Sequence, residues 1–270
     1  MKEILSVQNE SFKYWKSLTK SKGLREGKHF LLSGSKIINE LINADINSNQ
    51  LNSSINHFRI KPLNQSLQFI LTFDGYQSTN SLLTNLDPTS WIRLPRDLFD
   101  QIDVLGTKHP ILVLEQPTLV DWTQDLPPHG LEVLCPCGDP QNLGAISRNM
   151  IAFGANLLVI LKECAHPFLP KTIKASSGAI LRVPIALGPS IDEINSHTTA
   201  IDLNGIPLDT ASLKPHWRIL FGEEGQGVPN TFKGPKITIP MQNSMESLNA
   251  AVASGIILYQ WQRQQTTNNL

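Results

Sequence analysis

Two adjacent carboxylates stand inside a glycine-rich turn at residues 219–229, ILFGEEGQGVP, where Gly222, Gly225 and Gly227 surround Glu223 and Glu224. Glycines after an apolar run can bring backbone N–H groups close to an anion, as in a phosphate cradle. Here the two acids oppose that use, because they would set about two negative charges beside the phosphates, and neither a P-loop ending nor G-x-G-x-x-G spacing follows. A ligand at this turn is expected to be neutral or cationic. The alternative is an ordinary strand-to-loop turn with solvated acids. Cys135, Cys137 and Cys164 lack zinc-site spacing and read as small buried apolar residues, and the seven histidines show no paired-ligand pattern, so no metal is expected.

Such groups need a scaffold, and 270 residues can bury one large core or two smaller ones. In the second half, ILVLE (111–115), LEVLCP (131–136) and ANLLVIL (155–161) are continuous apolar runs, as strands buried on both faces of a parallel sheet require. PIAL, TAIDL, WRILFG and KITIP can add four more strands. NLGAISRNMIAFG (142–154) and SLNAAVASGIILYQWQRQQ (247–265) read as helices, with Asn142 as candidate cap of the first and Ser247 and Asn249 as candidate caps of the second. The pattern predicts a doubly wound α/β domain with its ligand at the carboxyl ends of the strands.

The first hundred residues read as a smaller α/β domain: a helix over 5–22, a strand and helix over 29–44, a strand at 67–73, then NSLLTNL and RDLFDQI. The glycine and proline of DVLGTKHP (103–110) mark the linker. The expected division is therefore 1–105 and 106–270. Formal charge is zero, yet Met1 to Lys36 holds seven lysines and Arg25 against three acids, about +5. Phe12, Tyr14 and Trp15 lie among these bases, a combination that suits RNA contact, while amphipathic packing explains the aromatics equally well. No apolar stretch of about 18 residues and no signal-peptide core are present, so a cytoplasmic protein without a membrane span is expected.

Three stretches, DPQNLGAISRNMIAFGA (139–155), ILFGEEGQGVP (219–229) and ITIPMQNSMESLNAAVASGIILYQ (237–260), closely resemble in order and separation the motifs of the SpoU, or TrmH, family of RNA ribose 2′-O-methyltransferases, within the SPOUT superfamily. KASSGAILRVPI (174–185) is similar to that family's Ser-Ala-Gly-Ala segment, so the likeness covers about the last 150 residues. Residues 6–34 resemble the opening of an N-terminal substrate-binding domain akin to small RNA-binding ribosomal proteins. The resemblance implies an α/β SPOUT domain with a deep C-terminal trefoil knot, a homodimer, and methylation of structured RNA, ribosomal before transfer RNA. It implies S-adenosyl-L-methionine as cofactor, held at Gly222, Ile239 and Leu248 with Met241 beside them. It also implies catalytic places for Asn142, Arg148, Glu224, Ser247 and Asn249. With a pKa above about 12, the guanidinium of Arg148 is better suited to orienting phosphate and stabilising an alkoxide than to removing a proton. Glu223 stands where Asn is more usual in the family and Asn243 where Gly is. Those departures support the alternative of a non-catalytic RNA-binding protein on the same scaffold.

Overall fold

The structure, a computed structural model, describes residues 2–51, 61–76, 83, 88–242 and 247–268. Asn243, and the NSLLTNL stretch at 80–86 apart from Leu83, lie outside these residues. The chain divides into two compact units, Met1–Pro117 with Phe168–Arg182, and Thr118–Pro167 with Val183–Leu270.

In the first unit, strands β1 (Lys2–Glu3), β2 (His29–Leu32), β3 (Leu67–Phe73), β4 (Trp91–Leu94) and β5 (Ile111–Glu115) form a mixed sheet in the order β1-β4-β3-β5-β2. Around it lie α1 (Glu10–Ser17), α2 (Ser21–Glu26), α3 (Ser35–Leu51), α4 (Leu63–Ser66) and α5 (Arg96–Ile102). Asn9 caps α1 by accepting from Ser11 N and Phe12 N, and the helix buries Phe12 and Trp15, three residues apart on one face. At 1% and 2% exposure these two rings belong to the core, so base stacking by them is excluded and amphipathic packing accounts for them. Instead of one helix over 5–22, α1 and α2 are separated by turns at Thr19 and Lys20.

In the second unit, β6 (Val120–Asp121), β7 (Leu131–Cys135), β8 (Leu157–Ile160), β9 (Ile185–Leu187), β10 (Thr199–Pro207), β11 (Trp217–Leu220) and β12 (Lys236–Thr238) form a sheet in the order β12-β10-β11-β7-β8-β9-β6. Every pairing in it is parallel. Helix α6 (Pro140–Phe153) follows β7, and α7 (Ala250–Asn268) closes the described chain. Asp139 caps α6 through Gln141 N, Pro140 opens its first turn, and Gly154 ends it at φ 76°.

Three expectations change. The ILVLE run is a strand, but it pairs antiparallel with both β2 and β3 in the first sheet, so the units part at Pro117 rather than at residue 105. A continuous apolar run marks a strand buried on both faces without saying in which sheet. Residues 168–182, which include most of the KASSGAILRVPI segment, pack into the first unit: Phe168 is buried against Phe30 with ring centroids 5.1 Å apart. DVLGTKHP is an ordered turn rather than a linker, since Asp103 accepts from Thr107 Oγ1 and Lys108 N.

Candidate functional site

The chain leaves β11 through Phe221 and Gly222 into a closed turn. Glu223 and Gly227 exchange both backbone hydrogen bonds at 2.9 Å, and Gly225 and Gly227 adopt φ of 86° and 72°. A Cβ on Gly222 would lie 2.6 Å from Gly227 C and 2.9 Å from Val228 N. Backbone cannot yield as a side chain can, so the turn itself demands glycine at 222. The turn's own returning backbone makes this demand whether or not a ligand approaches Gly222.

This turn is one wall of a cleft of about 640 Å³ at the carboxyl ends of β10 and β11. Gly222, Ile239, Met241 and Leu248 line it, and so do Asn142, Glu224, Ser247 and Asn249. The three motifs, far apart in sequence, meet there through one hydrogen-bonded chain. Both oxygens of Glu224 are used: Oε2 accepts from Gly138 N (2.9 Å) and Asp139 N (3.1 Å), and Oε1 accepts from Asn142 Nδ2 (2.9 Å). Asn142 Oδ1 in turn accepts from Asn249 Nδ2 at 2.9 Å, and Asn249 Oδ1 accepts from Ala251 N and Val252 N. Asn249, not Ser247, therefore caps α7, and Asp139, not Asn142, caps α6. Among the described residues, Ser247 lines the cleft without a hydrogen-bond partner.

Arg148 is not among the cleft's lining residues. It is exposed on α6, six residues beyond Asn142 and so well round the helix from it. Asn149, seven residues on, returns to the Asn142 face. It donates to Ala251 O (3.0 Å) and Ser254 Oγ (2.8 Å), which fastens α6 to α7. The sequence reading passed over Asn149, although its two-turn spacing from Asn142 marks it. It also passed over a bulge in β10. Ile201 and Ile206 both face Ile237 in β12, so residues 202–205 leave the ladder, and Asp202, Leu203 and Asn204 line the cleft. Asp202 is held there by Lys236 (Nζ–Oδ2 3.0 Å), and the Asn-Gly pair at 204–205 was the available signal.

Of the charged residues lining the cleft, all three are acids: Asp202, Glu223 and Glu224. Neither Lys, Arg nor His lines it among the described residues. The rest is amide, small and apolar. Such a cavity suits a ligand with apolar surface, hydrogen-bonding edges and positive charge, and repels a polyphosphate. The three cysteines are buried thiols; the hydrogen bond to Cys135 and burial push Cys137 far above the usual thiol range. Among the described residues, no group of three or more His, Cys, Asp or Glu is placed to hold a metal ion, and no helix is long and apolar enough to cross a membrane.

Comparison with known proteins agrees with this architecture. Over 265 residues, 97% of this chain, it is 31% identical to Ribosomal RNA small subunit methyltransferase G 2 of Syntrophobacter fumaroxidans, of which it spans 49%. The chain spans about half to two-thirds of the length of the first curated relatives it matches. It is 24% identical over 271 residues to the Bacillus subtilis 23S rRNA (guanosine(2553)-2′-O)-methyltransferase RlmP, covering 96% of this chain and 98% of that one. Among solved structures, the SpoU methyltransferase AviRb of Streptomyces viridochromogenes, in complex with the cofactor AdoMet, superposes with a TM-score of 0.70 at 22% identity, over 96% of this chain and all of that one (100%). That likeness shows the fold, an α/β arrangement on a mostly parallel sheet. The sequence model of the SpoU rRNA Methylase family matches residues 132–259, a span that holds the first two motif stretches and all but the last residue of the third. Over that span the chain is similar to the SpoU rRNA methylase family.

Proposed function

We propose that this protein transfers the methyl group of S-adenosyl-L-methionine to a ribose 2′-hydroxyl in structured RNA, with ribosomal RNA favoured over transfer RNA. The observation that carries the reading is the cleft itself, lined among the described residues by acids, amides and apolar side chains without a cation. When bound, S-adenosyl-L-methionine supplies a methyl group on a positively charged sulfonium, and unbalanced carboxylates attract that charge. Backbone edges of the 222–228 turn give hydrogen-bonding groups for an adenosine, and Ile239, Met241 and Leu248 give apolar contact. The AdoMet complex of AviRb, the same fold, lends support, as does the 2′-O activity in the name of the Bacillus subtilis relative.

Asn142, Ser247 and Asn249 at the start of α7 are proposed to hold the ribose, with Glu224 fixing the two amides. Arg148 is proposed to orient the nucleotide's phosphate and to stabilise negative charge developing on the hydroxyl oxygen. Because it lies outside its own chain's cleft, that role calls for a second copy. Ile151 stands one turn beyond Arg148 on the same exposed face of α6. Val252, Ile256 and Tyr259 form an exposed stripe at i, i+4 and i+7 on α7, the helix that Asn149 fastens to α6. An unpartnered apolar stripe of this kind supports a homodimer that brings Arg148 to the other copy's cleft. The strand order supports the trefoil knot: after β11 the chain crosses to the far side of β10 as β12, then returns to pack α7 on α6. Exposed Lys13, Lys16, Lys20, Lys22 and Lys28 in the first unit support phosphate contact there, in the manner of a substrate-binding domain.

Purified protein, radiolabelled cofactor and RNA from a strain lacking the gene test the proposal. Label in alkali-resistant dinucleotides is expected, with at least about a hundredfold loss for Arg148→Ala. Absence of both label and cofactor binding would overturn it. The exposed position of Arg148 also favours a second reading, a non-catalytic RNA-binding protein on the same fold. RNA binding without label in the presence of bound cofactor decides for that reading. Ile256→Glu with Tyr259→Glu is expected to give a monomer by sedimentation that binds cofactor without transferring methyl.

A further inference from the structure

One charged group of the cleft has neither a partner nor an assigned task. Asp202 is paired with Lys236 and also accepts from Asn204 N at 2.9 Å. Glu224 spends both oxygens on three N–H donors. Glu223 is half-buried, lines the cleft, and has its backbone locked to Gly227 in both directions. Among the described residues its carboxylate has no hydrogen bond and no ion pair.

We propose that Glu223 reads the charge on sulfur, favouring the positively charged methyl donor over the neutral thioether that remains after transfer. The inference rests on the cofactor assignment above. Transfer breaks the S–CH3 bond, forms the O–CH3 bond, leaves the bonding pair on sulfur and releases the hydroxyl proton to solvent. Donor and product share every other group, and the ammonium and carboxylate of their common amino-acid part cancel at a distance. The net difference is one positive charge. A cleft with, among the described residues, one free carboxylate and no cation is the arrangement that distinguishes the two by Coulomb energy. Glu224 is less fitted to the task, because its charge is already spread over the donors that bind it. Asparagine, more usual at this position in the resembled family, has similar polarity without the charge, so the discrimination is a property of this chain.

Isothermal titration calorimetry with S-adenosyl-L-methionine and S-adenosylhomocysteine, each on the full chain and on Glu223→Gln, tests the inference. Because water reaches the carboxylate, the expected change is moderate: about three- to tenfold weaker binding of the donor, with the product changed by less than about twofold. The difference between the ligands is expected to shrink in high salt, as a partly exposed charge pair requires. Glu223→Asn, which shortens the side chain, is expected to give the same shift, since only charge matters; the backbone lock with Gly227 survives either substitution. Equal weakening of both ligands would place Glu223 on the shared amino-acid part and overturn the inference, as would no change in either. Failure of the unsubstituted chain to bind either ligand would instead overturn the cofactor assignment.

Discussion

The Glu224–Asn142–Asn249 chain has a direction, and reversing it at one end is expected to be repaired by a second substitution at the other. A carboxylate only accepts, so Asn142 must turn its NH2 group toward Glu224 and its oxygen toward Asn249. Asn249 must then donate to Asn142 and turn its oxygen to the α7 N–H groups of Ala251 and Val252, which only donate. Glu224→Gln keeps shape but adds a donor. If its oxygen serves Gly138 N and Asp139 N, its NH2 faces Asn142, and each amide flip made in answer passes the mismatch along until it meets the helix. One donor–donor mismatch remains in every arrangement. These groups are partly exposed, so each mismatch is placed at the low end of the unsatisfied-group range, about 1 kcal/mol. Asn249→Asp alone creates an acceptor–acceptor mismatch of similar size. Glu224→Gln combined with Asn249→Asp has none, because the whole chain can run the other way, and it places an acid at a helix N-terminus. Thermal and urea melts of the four proteins are expected to give a coupling of about 2 kcal/mol, with each single variant melting about 2–4 °C lower and the double variant near the starting protein. Additive losses in the double variant would refute a directed chain.

Gly222→Ala is expected to displace the 223–227 turn, since the new methyl meets backbone at 2.6 Å, and to cost about 1–3 kcal/mol with loss of cofactor binding; calorimetry and a urea melt check both. Arg218→Met strips the guanidinium that donates to Glu132 Oε2 at 2.7 Å, to Gln124 O at 2.9 Å and to Leu126 O, leaving a 7% exposed carboxylate without its ionic partner, held only by Trp122 Nε1 and His129 N. A loss of about 3–5 kcal/mol is expected in urea, with part recovered by adding Glu132→Leu, and a loss under about 1 kcal/mol would refute the pairing as buried. Burial lowers the pKa of His29, whose Nδ1 lies 2.8 Å from Tyr14 Oη, itself accepting from Lys28 N and so free to donate to a neutral ring. A depressed histidine pKa gives stability that is complete above about pH 6.5 and is lost as pH falls through the lowered folded value. Melts of the chain and of Tyr14→Phe across that window are expected to show a histidine-dependent component that the substitution reduces.

Much of the second unit was legible because most of its strands are apolar runs followed by a turn signal, and because start and stop residues such as Pro140 and Gly154 are local, whereas β6, two exposed residues, carries no such signal. What the sequence did not reveal depended on contacts between distant segments. ILVLE reads alike in either sheet, and only its antiparallel partners β2 and β3 decide which one it joins. Lysines around Phe12 and Trp15 suited RNA contact until burial assigned the rings to the core. Asp139 is the cap because the helix opens at Pro140, which leaves Asn142 within the first turn, where it donates to Glu224, 82 residues away. Arg148 and Asn149 are neighbours in sequence, yet helical rotation gives one to the surface and the other to the α6–α7 joint.

The two glutamates of the turn make the same point in electrostatic terms. Adjacent in sequence, they count equally toward formal charge and were read together as one acidic obstacle to phosphate. Both line the cleft, yet their carboxylates differ in their partners. Glu224 turns toward the N–H groups that open α6, where its charge becomes part of the scaffold. Glu223 keeps its charge available to whatever enters the cleft. Neutralising them should therefore show up in different measurements. Glu224→Gln is expected to lower the melting temperature of the unliganded chain, because its hydrogen bonds exist without ligand. Glu223→Gln is expected to leave that temperature within about 1 °C, as an unpaired surface charge usually does, and to change only the preference between charged and neutral ligands. If both variants melt alike without ligand, the two carboxylates are not divided between scaffold and recognition.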